Sequence, residues 1–511
     1  MEDNIILEGE RKERAISHES GVWLFLFKEV QTMKAVVIGG GVFGSLIARE
    51  LTKYDLEVTL IERNLDVGWG VTKANSAVVH AGYDDPPESV RAQFCASGNA
   101  MYEDLSKELD FDFKRIGSFV VAFNDEELKE LERLLKQGEE NGVPGLTILE
   151  RDEVLSMEPN LNPEVKYALY APTAGITEPW MVAIAAVENA VQNGLKLVLG
   201  ESVVGFEKVN GRVKKVHTSK GEYEADIVIN CAGLHADEIA KLAGAEYVPL
   251  HPRKGEYILL DKKLQGLVKR VIFPTPTKVS KGILVLPTVD GGILLGPTAE
   301  DLPEEMKDRP ITTREGLEKV REFTKKLVPS LDFSLVVKTF SGLRPESPQK
   351  DFFIKVSETV KNFVNVMATR SPGLTAAPAV AKYVVEELIQ EKMRIPLEKK
   401  KDFKPERKRI VHYSELPLEE WRREIERDPR AGRLVCFCNE VTEKEIVEAI
   451  RRGARTLDGV KFRTRAMFGR CQGGFCMARI LKILERELGV DMSEIKMKSE
   501  NSWVVNGKVR K

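Results

Sequence analysis

Four cysteines close to the C-terminus have the spacing of a metal site. Cys436 and Cys438 form a C-x-C pair, and Cys471 and Cys476 form a C-x₄-C pair after 32 intervening residues. Two close thiolate pairs that meet in space can bind a [2Fe–2S] cluster or a zinc ion. Zinc ribbons prefer C-x₂-C to C-x-C, so the spacing favours the iron–sulfur cluster, with zinc as the alternative.

A glycine-rich turn near the N-terminus has the pattern of a dinucleotide site. Gly39, Gly41 and Gly44 fit G-x-G-x-x-G between a predicted strand over 34–38 and a predicted helix that extends to Leu51. The first glycine permits a tight turn, the second lets the backbone approach a pyrophosphate, and the third lets helix and strand pack closely. The helix N-terminus then faces the phosphates. We expect cofactor contacts from this turn and from the end of the next strand, at Gly39, Gly41, Val42, Phe43, Gly44, Glu62 and Arg63.

The segment after the second strand indicates FAD rather than NAD. A carboxylate at Glu62 can accept hydrogen bonds from ribose hydroxyls, which suits either cofactor and disfavours a 2′-phosphate. An NAD domain would continue with further β-α units, whereas residues 68–76 form a loop of mostly small residues and the next strands lie far along the chain. This layout is typical of flavoproteins in which a second domain interrupts the first.

The composition of the 511 residues excludes several classes of protein. The formal net charge is −2, so there is no basic surface of the kind that binds nucleic acid. No apolar run approaches the length of a membrane span. Cys95 and Cys231 lie among apolar or small residues and are interpreted as buried thiols. Cysteines in metal spacing fit a reducing compartment, so we expect a cytoplasmic protein.

Length and pattern divide the chain into segments. Residues 1–32 are polar and irregular and Met33 precedes the first strand, so we expect 1–32 to be a non-native or disordered extension. The oxidoreductase part is expected over 33–391, a charged linker over 392–430, the four-cysteine domain over 431–490 and a C-terminal tail over 491–511. Apolar periodicity and a turn at Asn210-Gly211 predict a hairpin over 203–220 and helices near 88–109, 125–140, 313–327, 375–391, 442–452 and 475–488.

Four further motifs carry a resemblance to a known family. They are Asn-Ser-Ala-Val-Val-His-Ala-Gly at 75–82, Asn-Cys-Ala-Gly-Leu-His-Ala-Asp at 230–237, Gly-Leu-Arg-Pro at 342–345 and Ser-Pro-Gly-Leu-Thr at 371–375. With the glycine turn, they resemble the FAD-dependent D-amino-acid oxidase superfamily. The cysteine region resembles the bacterioferritin-associated-ferredoxin-like [2Fe–2S] domain. The combination, over about 33–490, resembles the catalytic A subunits of anaerobic-type glycerol-3-phosphate dehydrogenases.

The resemblance implies an α/β fold: a Rossmann-like FAD-binding domain interleaved with a mixed α+β substrate domain, followed by a small helical four-cysteine domain. It implies oxidation of a secondary alcohol by hydride transfer to FAD, here of sn-glycerol 3-phosphate. It also implies partner oxidoreductase subunits that carry electrons to a quinone or another acceptor. Through such partners the protein would lie peripherally at the inner membrane.

The chemistry needs a proton acceptor and cations that hold an anionic substrate. His80 is the candidate for proton acceptor or flavin contact, with a structural histidine as the alternative. The guanidinium of Arg344 can hold a phosphate or carboxylate bidentately, unless it pairs with the nearby Glu346. Arg370 could serve likewise or brace its loop, and Lys254 is a further candidate.

The resemblance also assigns cofactor contacts beyond the glycine turn. A helix that starts at Gly373 could direct backbone N–H groups to the flavin, although a plain helix start after Pro372 is the alternative. The expected cofactor residues outside the turn are Thr72, Asn75, Ser76, Val204, Ala232, Gly233, Gly342, Arg344, Gly373, Leu374 and Thr375.

Two other functions stay open from the sequence. After His80 the chain continues Tyr-Asp-Asp-Pro-Pro over 83–87, where glycerol-phosphate enzymes usually have a nearby arginine. This segment also resembles 2-hydroxyglutarate oxidases, so a 2-hydroxy-acid or amino-acid dehydrogenase or oxidase is one alternative. A non-catalytic electron-transfer subunit is the other.

Overall fold

The computed structural model describes residues 32–276 and 282–507, together with two short strands nearer the N-terminus. The predicted extension over 1–32 therefore lies almost wholly outside the described residues, as do residues 508–511 of the predicted tail.

The secondary structure alternates between helices and strands through most of the chain. The α-helices are α1 (Val42–Leu51), α2 (Val90–Leu109), α3 (Asp125–Glu140), α4 (Arg151–Met157), α5 (Pro179–Gln192), α6 (Ala236–Ala243), α7 (Arg314–Leu327), α8 (Gly373–Tyr383), α9 (Leu418–Arg427), α10 (Glu443–Arg451), α11 (Leu457–Thr464) and α12 (Met477–Leu488). Helix α8 continues as a π-helix, Val384–Lys392.

The strands are β1 (Ala15–Ile16), β2 (Leu24–Phe25), β3 (Lys34–Ile38), β4 (Glu57–Glu62), β5 (Val78–Val79), β6 (Phe113–Arg115), β7 (Ser118–Ala122), β8 (Thr147–Glu150), β9 (Tyr167–Ala171), β10 (Gly175–Thr177), β11 (Lys196–Leu199), β12 (Val203–Val209), β13 (Arg212–Thr218), β14 (Glu222–Glu224), β15 (Ile227–Asn230), β16 (His251–Leu260), β17 (Val271–Pro274), β18 (Leu284–Pro287), β19 (Ile293–Gly296), β20 (Glu300–Asp301), β21 (Val336–Glu346), β22 (Phe353–Val356), β23 (Phe363–Met367), β24 (Leu434–Cys436) and β25 (Val441–Thr442).

A six-stranded sheet forms the first layer, in the order β11-β4-β3-β15-β23-β22. All neighbours are parallel except β22 and β23. Strands β15 and β23 are buried along their whole length, as expected for parallel strands covered on both faces. Helices α1, α5 and α8 cover one face of the sheet. Strand β3 has β4 on one side and β15 on the other, so the order of strands changes direction at β3. Ligands bind at such a switch point in α/β sheets.

A second, nine-stranded sheet contains β7, β8, β9 and the strands from β16 to β21. Most of its neighbours are antiparallel, with β17 and β7 as a parallel pair. One of its faces packs against α3 and the other against α7. The strands of this sheet come between those of the first sheet in the sequence, which confirms the predicted interleaving of two domains.

The C-terminal domain packs α10, α11 and α12 and the β24–β25 hairpin around a core of its own. Helices α10 and α12 were predicted from their apolar periodicity, whereas α11 was not. Six of its eight residues are buried, among them Lys461, Arg463 and Thr464. A helix buried on opposite sides, and partly through polar residues, shows no amphipathic pattern.

Helix α11 also joins the C-terminal domain to the FAD-binding domain. Its Arg463 is buried and forms an ion pair with Asp66, with 2.9 Å between Nη2 and Oδ1. Phe462 packs edge-on against Trp69 of the loop after β4, with ring centroids 5.9 Å apart. Trp180 at the start of α5 stacks on Phe468 at 5.5 Å. The two domains therefore share both an aromatic contact and a buried charge pair.

The charged segment over 392–430, expected to be a linker on the surface, follows the FAD-binding domain closely. Arg407 is buried and its Nε donates to Glu188 on α5 at 2.7 Å. Helix α9 follows, and none of its residues is buried. In the described part of the chain, no helix is both long enough and apolar enough to cross a bilayer.

Candidate FAD and iron–sulfur sites

An elongated cavity of about 530 Å³ opens at the carboxyl ends of β3, β4 and β15. One end is lined by Glu62 and Arg63, and the other by Gly342, Gly373 and Leu374. The remaining predicted cofactor residues on its wall are Gly39, Gly41, Val42, Phe43, Thr72, Asn75, Ala232 and Gly233. The structure thus gathers motifs that are more than 300 residues apart around one cavity.

The turn from β3 into α1 leaves no room for side chains. Gly39 has φ +101°, and a Cβ there would lie 2.5 Å from the carbonyl oxygen of Cys231. A Cβ on Gly44 would overlap the carbonyl oxygen of Gly39. Gly41 has no side chain with which to cap α1. The N–H of Val42 donates to Thr72, and the first turn of the helix lines the cavity. That arrangement suits a pyrophosphate.

The carboxylate of Glu62 is anchored at the end of β4. Its Oε2 accepts from the N–H of Gly40 at 2.7 Å, and its Oε1 accepts from the backbone and side-chain amides of Asn64. The neighbouring Arg63 forms an ion pair with Asp308 at 2.6 Å. These contacts hold an acidic and a basic side chain at the ribose end of the cavity.

The loop after β4 closes the other side of the glycine turn. The hydroxyl of Thr72 accepts from the N–H of Val42 at 3.0 Å. Asn75 donates to the carbonyls of Val71 and Thr72 and accepts from the N–H of Ala77 at 2.7 Å. The loop is therefore held in shape by its own polar side chains.

Gly342 brings β21 against this loop. A Cβ on Gly342 would overlap the carbonyl oxygen of Ala74, so β21 and the loop approach at backbone distance. In the strand pair β16–β21, Gly342 faces Gly255 and Arg344 faces Arg253. Alternation along a strand places Arg344 and Gly342 on one face of the sheet, the face towards the loop.

His80 lies between β5 and the start of α8. Its backbone N–H donates to Thr375 at 2.9 Å, and its Nε2 is 3.4 Å from the hydroxyl of Ser371. Its ring centroid is 5.9 Å from that of Phe273 in the second sheet. The histidine is thus placed where the two domains meet, beside the helix start that was predicted to face the flavin.

Arg344 is partly buried, and its Nη2 donates to the carbonyl of Thr298 at 2.8 Å. Burial lowers the pKa of Arg344, since desolvation disfavours the charged form. Glu346, the alternative partner predicted for it, instead pairs with Arg370 at 2.8 Å. Among the described residues, no carboxylate lies within ion-pair distance of Arg344.

Arg91 on α2 is a cation near this site that the sequence did not reveal. It forms ion pairs with Asp85 at 3.1 Å and Asp351 at 3.5 Å, and its charge helps to lower the pKa of Arg370, after burial itself. In the sequence, Arg91 is indicated only by its position eleven residues after His80. This position lies beyond residues 83–87, the segment in which an arginine was expected.

Lys254 and Val204 lie apart from the other candidates. Lys254 is on the opposite face of β16 from Arg253, and it pairs with Glu256 at 2.8 Å and Glu300 at 2.9 Å. Val204 is 55% exposed and does not line the cavity, although Val203 does. The other predicted cofactor residues that do not line the cavity are Gly44, Ser76, Arg344 and Thr375. The structure therefore gives the lysine two carboxylate partners and places the valine in solvent.

The cavity fits FAD by these observations. It has a helix N-terminus whose first turn lines the wall, a turn that a Cβ on Gly39 or Gly44 would obstruct, and a carboxylate at the end of the second strand. Residues of the turn would hold the pyrophosphate, Glu62 the ribose, and the α8 start with Gly342 the isoalloxazine.

The four C-terminal cysteines meet as two pairs. Sγ of Cys438 and Cys471 are 3.6 Å apart, and Cys436 is hydrogen-bonded to Cys476. This bond, with backbone N–H groups such as that of Met467, lowers the pKa of Cys436 to about 6. In the described residues no three metal-binding side chains converge on a single ion. Two thiolate pairs fit the two irons of a [2Fe–2S] cluster better than one zinc ion.

Comparison with known proteins agrees with both sites. The chain belongs to the FAD-dependent oxidoreductase family, whose family model matches residues 34–387. Residues 434–486 match the BFD-like [2Fe-2S] binding domain. The predicted cofactors, FAD and a [2Fe–2S] cluster, are thereby confirmed.

Three relatives show what the chain is similar to. A glycerol 3-phosphate dehydrogenase of Caloramator mitchellensis is 46% identical over 473 residues, which are 92% of this chain and 98% of that protein. An L-2-hydroxyglutarate dehydrogenase of Arabidopsis thaliana is 31% identical over 70% of this chain and 84% of its own length. The FAD-bound L-α-glycerophosphate oxidase of Mycoplasma pneumoniae superposes with a TM-score of 0.69 at 29% identity, covering 74% of this chain and 99% of its own.

Proposed function

We propose that this protein oxidises sn-glycerol 3-phosphate to dihydroxyacetone phosphate. Bound FAD would supply the hydride acceptor for the hydrogen on C2 of the substrate. The chain's own residues would hold the phosphate, orient C2 and take the proton of the C2 hydroxyl. The protein would then act as a dehydrogenase that releases its electrons through the C-terminal cluster.

The observation that carries this proposal is the setting of Arg344. A guanidinium that is partly removed from water and lacks a carboxylate partner is stabilised when an anion completes its hydrogen bonds. Arg344 lies on the sheet face that meets the loop after β4, and among the described residues the partner of its Nη2 is a carbonyl oxygen. Its remaining N–H groups can bind a phosphate bidentately. Arg370 is nearby but already paired with Glu346, so we assign it a bracing role.

His80 is the proposed proton acceptor. The fixed backbone bond to Thr375 and the contact with Ser371 hold its ring at the junction of the two domains. A histidine held there could take the hydroxyl proton as the hydride leaves C2. The hydrogen bond to Thr375 ties the histidine to the start of α8, whose N–H groups would stabilise the reduced flavin.

The relatives favour a glycerol phosphate over a 2-hydroxy acid. The glycerol 3-phosphate dehydrogenase is similar over both domains, whereas the L-2-hydroxyglutarate dehydrogenase aligns over 70% of the chain at lower identity. A 2-hydroxy acid remains the second candidate, because a carboxylate would also fit Arg344.

An anaerobic spectral titration tests the proposal. Purified holoprotein is mixed in turn with sn-glycerol 3-phosphate, L-2-hydroxyglutarate and L-proline at millimolar concentration, and the flavin bands are followed. We expect bleaching by glycerol phosphate alone, together with formation of dihydroxyacetone phosphate. Bleaching only by the hydroxy acid or the amino acid would transfer the proposal to that substrate. Flavin that stays oxidised with all three, yet is reduced by dithionite, would support a non-catalytic electron carrier.

We further propose that the electrons leave through the C-terminal cluster to an acidic one-electron acceptor protein. Phe437 and Phe475 adjoin the cysteines in the sequence and are 59% and 76% exposed, and Cys438 is exposed as well. The guanidinium of Arg479 lies 5.0 Å from the ring of Phe437 and forms no ion pair among the described residues. An apolar surface with a free cation at a redox centre suits an acidic partner. Such a partner would also provide any attachment to a membrane.

A further inference from the structure

The C-terminal region supplies part of the wall of the FAD cavity. Lys498 and Ser499, which follow the C-terminal domain, line the cavity together with the glycine turn and the loop after β4. The next residue, Glu500, lies beside Gly200 at the end of β11 and 3.8 Å from Lys220. The tail therefore covers the FAD cavity near its ribose end.

Helix α11 brings a second lysine to the same region. The Nζ of Lys73, in the loop after β4, lies 3.3 Å from the ring centroid of Trp69 and 5.4 Å from that of Phe462. The Nζ of Lys461 lies 5.8 Å from the centroid of Phe462. Lys73 lines the FAD cavity, so one aromatic ring of α11 separates a cavity lysine from a lysine of the C-terminal domain.

In this cluster of lysines, positive charges outnumber negative ones among the described residues. The charges of Lys498, Lys338 and Lys461 each lower the pKa of Lys73, and the charge of Lys338 lowers the pKa of Lys461. Among the described residues that act on this cluster, Asp458 is the carboxylate. Burial, followed by these charges, lowers the pKa of Lys73 to about 7 and that of Lys461 to about 8.

We propose that the C-terminal region completes the FAD site, with Lys461 and Lys498 joining Lys73 to balance the charge of the pyrophosphate. Lys73 lines the cavity and directly follows Thr72 in the sequence. The hydroxyl of Thr72 accepts from the first turn of α1, where the phosphates would bind. The pyrophosphate of FAD would add two negative charges near four lysines and one carboxylate. These charges would relieve the repulsion among the lysines. FAD binding and docking of the iron–sulfur domain would then be coupled.

A binding experiment with deflavinated protein tests this inference, and it needs no substrate. The Kd of FAD, ADP and adenosine is measured by calorimetry for the wild type and for Lys498→Met and Lys461→Met. ADP contains the pyrophosphate and adenosine does not. We expect each variant to bind FAD and ADP about tenfold more weakly and adenosine unchanged. Lys482→Met, an exposed lysine on α12 of the same domain, is the control and should bind all three as the wild type does.

Two results would overturn the proposal. ADP affinity within twofold of the wild type in both variants would show that the lysines do not meet the phosphates. An equal loss for adenosine and ADP would show that the tail acts only through shape. Lys498 is exposed, so its variant should fold even if Lys461→Met does not, and the iron–sulfur absorption reports the integrity of the domain. Neither result depends on which substrate the flavin oxidises.

Discussion

Cations that are wholly or partly buried in this protein differ in whether they have a carboxylate partner. Lys254 has Glu256 and Glu300, and Lys307 has Asp237 at 3.0 Å. Arg344 has a carbonyl as its partner, and the cluster around Lys73 has one carboxylate. Because a buried charge is normally paired, an unpaired one marks a place where a ligand supplies the missing charge. We therefore assign the first group to stability and the second to binding.

Arg344→Met tests this distinction at the substrate site. Removing hydrogen bonds to a charged group costs about 1.5–3 kcal/mol each, so we expect KM for the substrate to rise roughly 10- to 100-fold. Steady-state kinetics with an artificial dye acceptor measure this. Arg314→Met removes a guanidinium that is 85% exposed on α7 and should leave KM unchanged. An unaltered KM in the Arg344 variant would remove this residue from the substrate site.

At the scale of elements, α11 has two tasks that explain its unusual sequence. It contributes to the core of the C-terminal domain through Leu457 and Val460, and it reaches the FAD-binding domain through Phe462 and Arg463. The ion pair of Arg463 with Asp66 is almost fully buried on both sides. Glu188 on α5 adds a second carboxylate at 3.5 Å from Nε. Burial alone would lower the pKa of Arg463, but the charges and hydrogen bonds of Asp66 and Glu188 outweigh it and raise this pKa.

Arg463→Met should loosen the docking of the C-terminal domain. Breaking a buried ion pair by removing one partner costs about 3–5 kcal/mol, because the remaining carboxylate stays buried. We expect chymotrypsin to release a C-terminal fragment much faster than from the wild type, as seen by gel and mass spectrometry. Arg422→Met removes an exposed arginine that pairs with Glu419 and should digest as the wild type does. Equal digestion of both variants would show that the aromatic contacts alone hold the domain.

At the scale of the whole molecule, α11 contacts the regions of both redox sites. Trp69 lines the FAD cavity and contacts Phe462, whose ring lies 5.5 Å from that of Phe468. Phe468 follows Met467, whose backbone N–H binds the sulfurs of Cys436 and Cys476. Packed side chains therefore connect the FAD cavity to the cysteines that would hold the cluster, and of these cysteines Cys438 is exposed.

Phe475→Ser tests the electron exit at this scale. Burying a phenylalanine at an interface contributes about 1.5–3 kcal/mol, so electron delivery to a protein acceptor should fall roughly tenfold or more. The probe is rubredoxin, a small acidic iron protein, whose absorption bleaches as each molecule takes one electron. Dye reduction should be unchanged, because a small dye needs no docking surface. Phe323→Ser, on α7 and 49% exposed, is the control. Equal rates with rubredoxin for both variants would exclude this surface.

Local pattern was sufficient for much of the fold and for both cofactors. The glycine turn, the strand ending at Glu62 and the two cysteine pairs depend on residues close in the sequence, so their spacing alone indicates FAD and a [2Fe–2S] cluster. The hairpin at Asn210-Gly211 and helices α2, α3, α7, α10 and α12 were likewise predicted, because their turn chemistry or apolar periodicity is local.

Long-range packing decided the rest. Pairing of β16 with β21 puts Lys254 and Arg344 on opposite faces, and the sequence shows neither the pairing nor the face. Ion-pair partners such as Arg370 with Glu346, and Arg463 with Asp66, are chosen by contacts between distant segments. Spacing along the chain thus determined which cofactors this protein can bind. Only the tertiary structure determined which charges lack a partner, because a charge is neutralised by its neighbours in space.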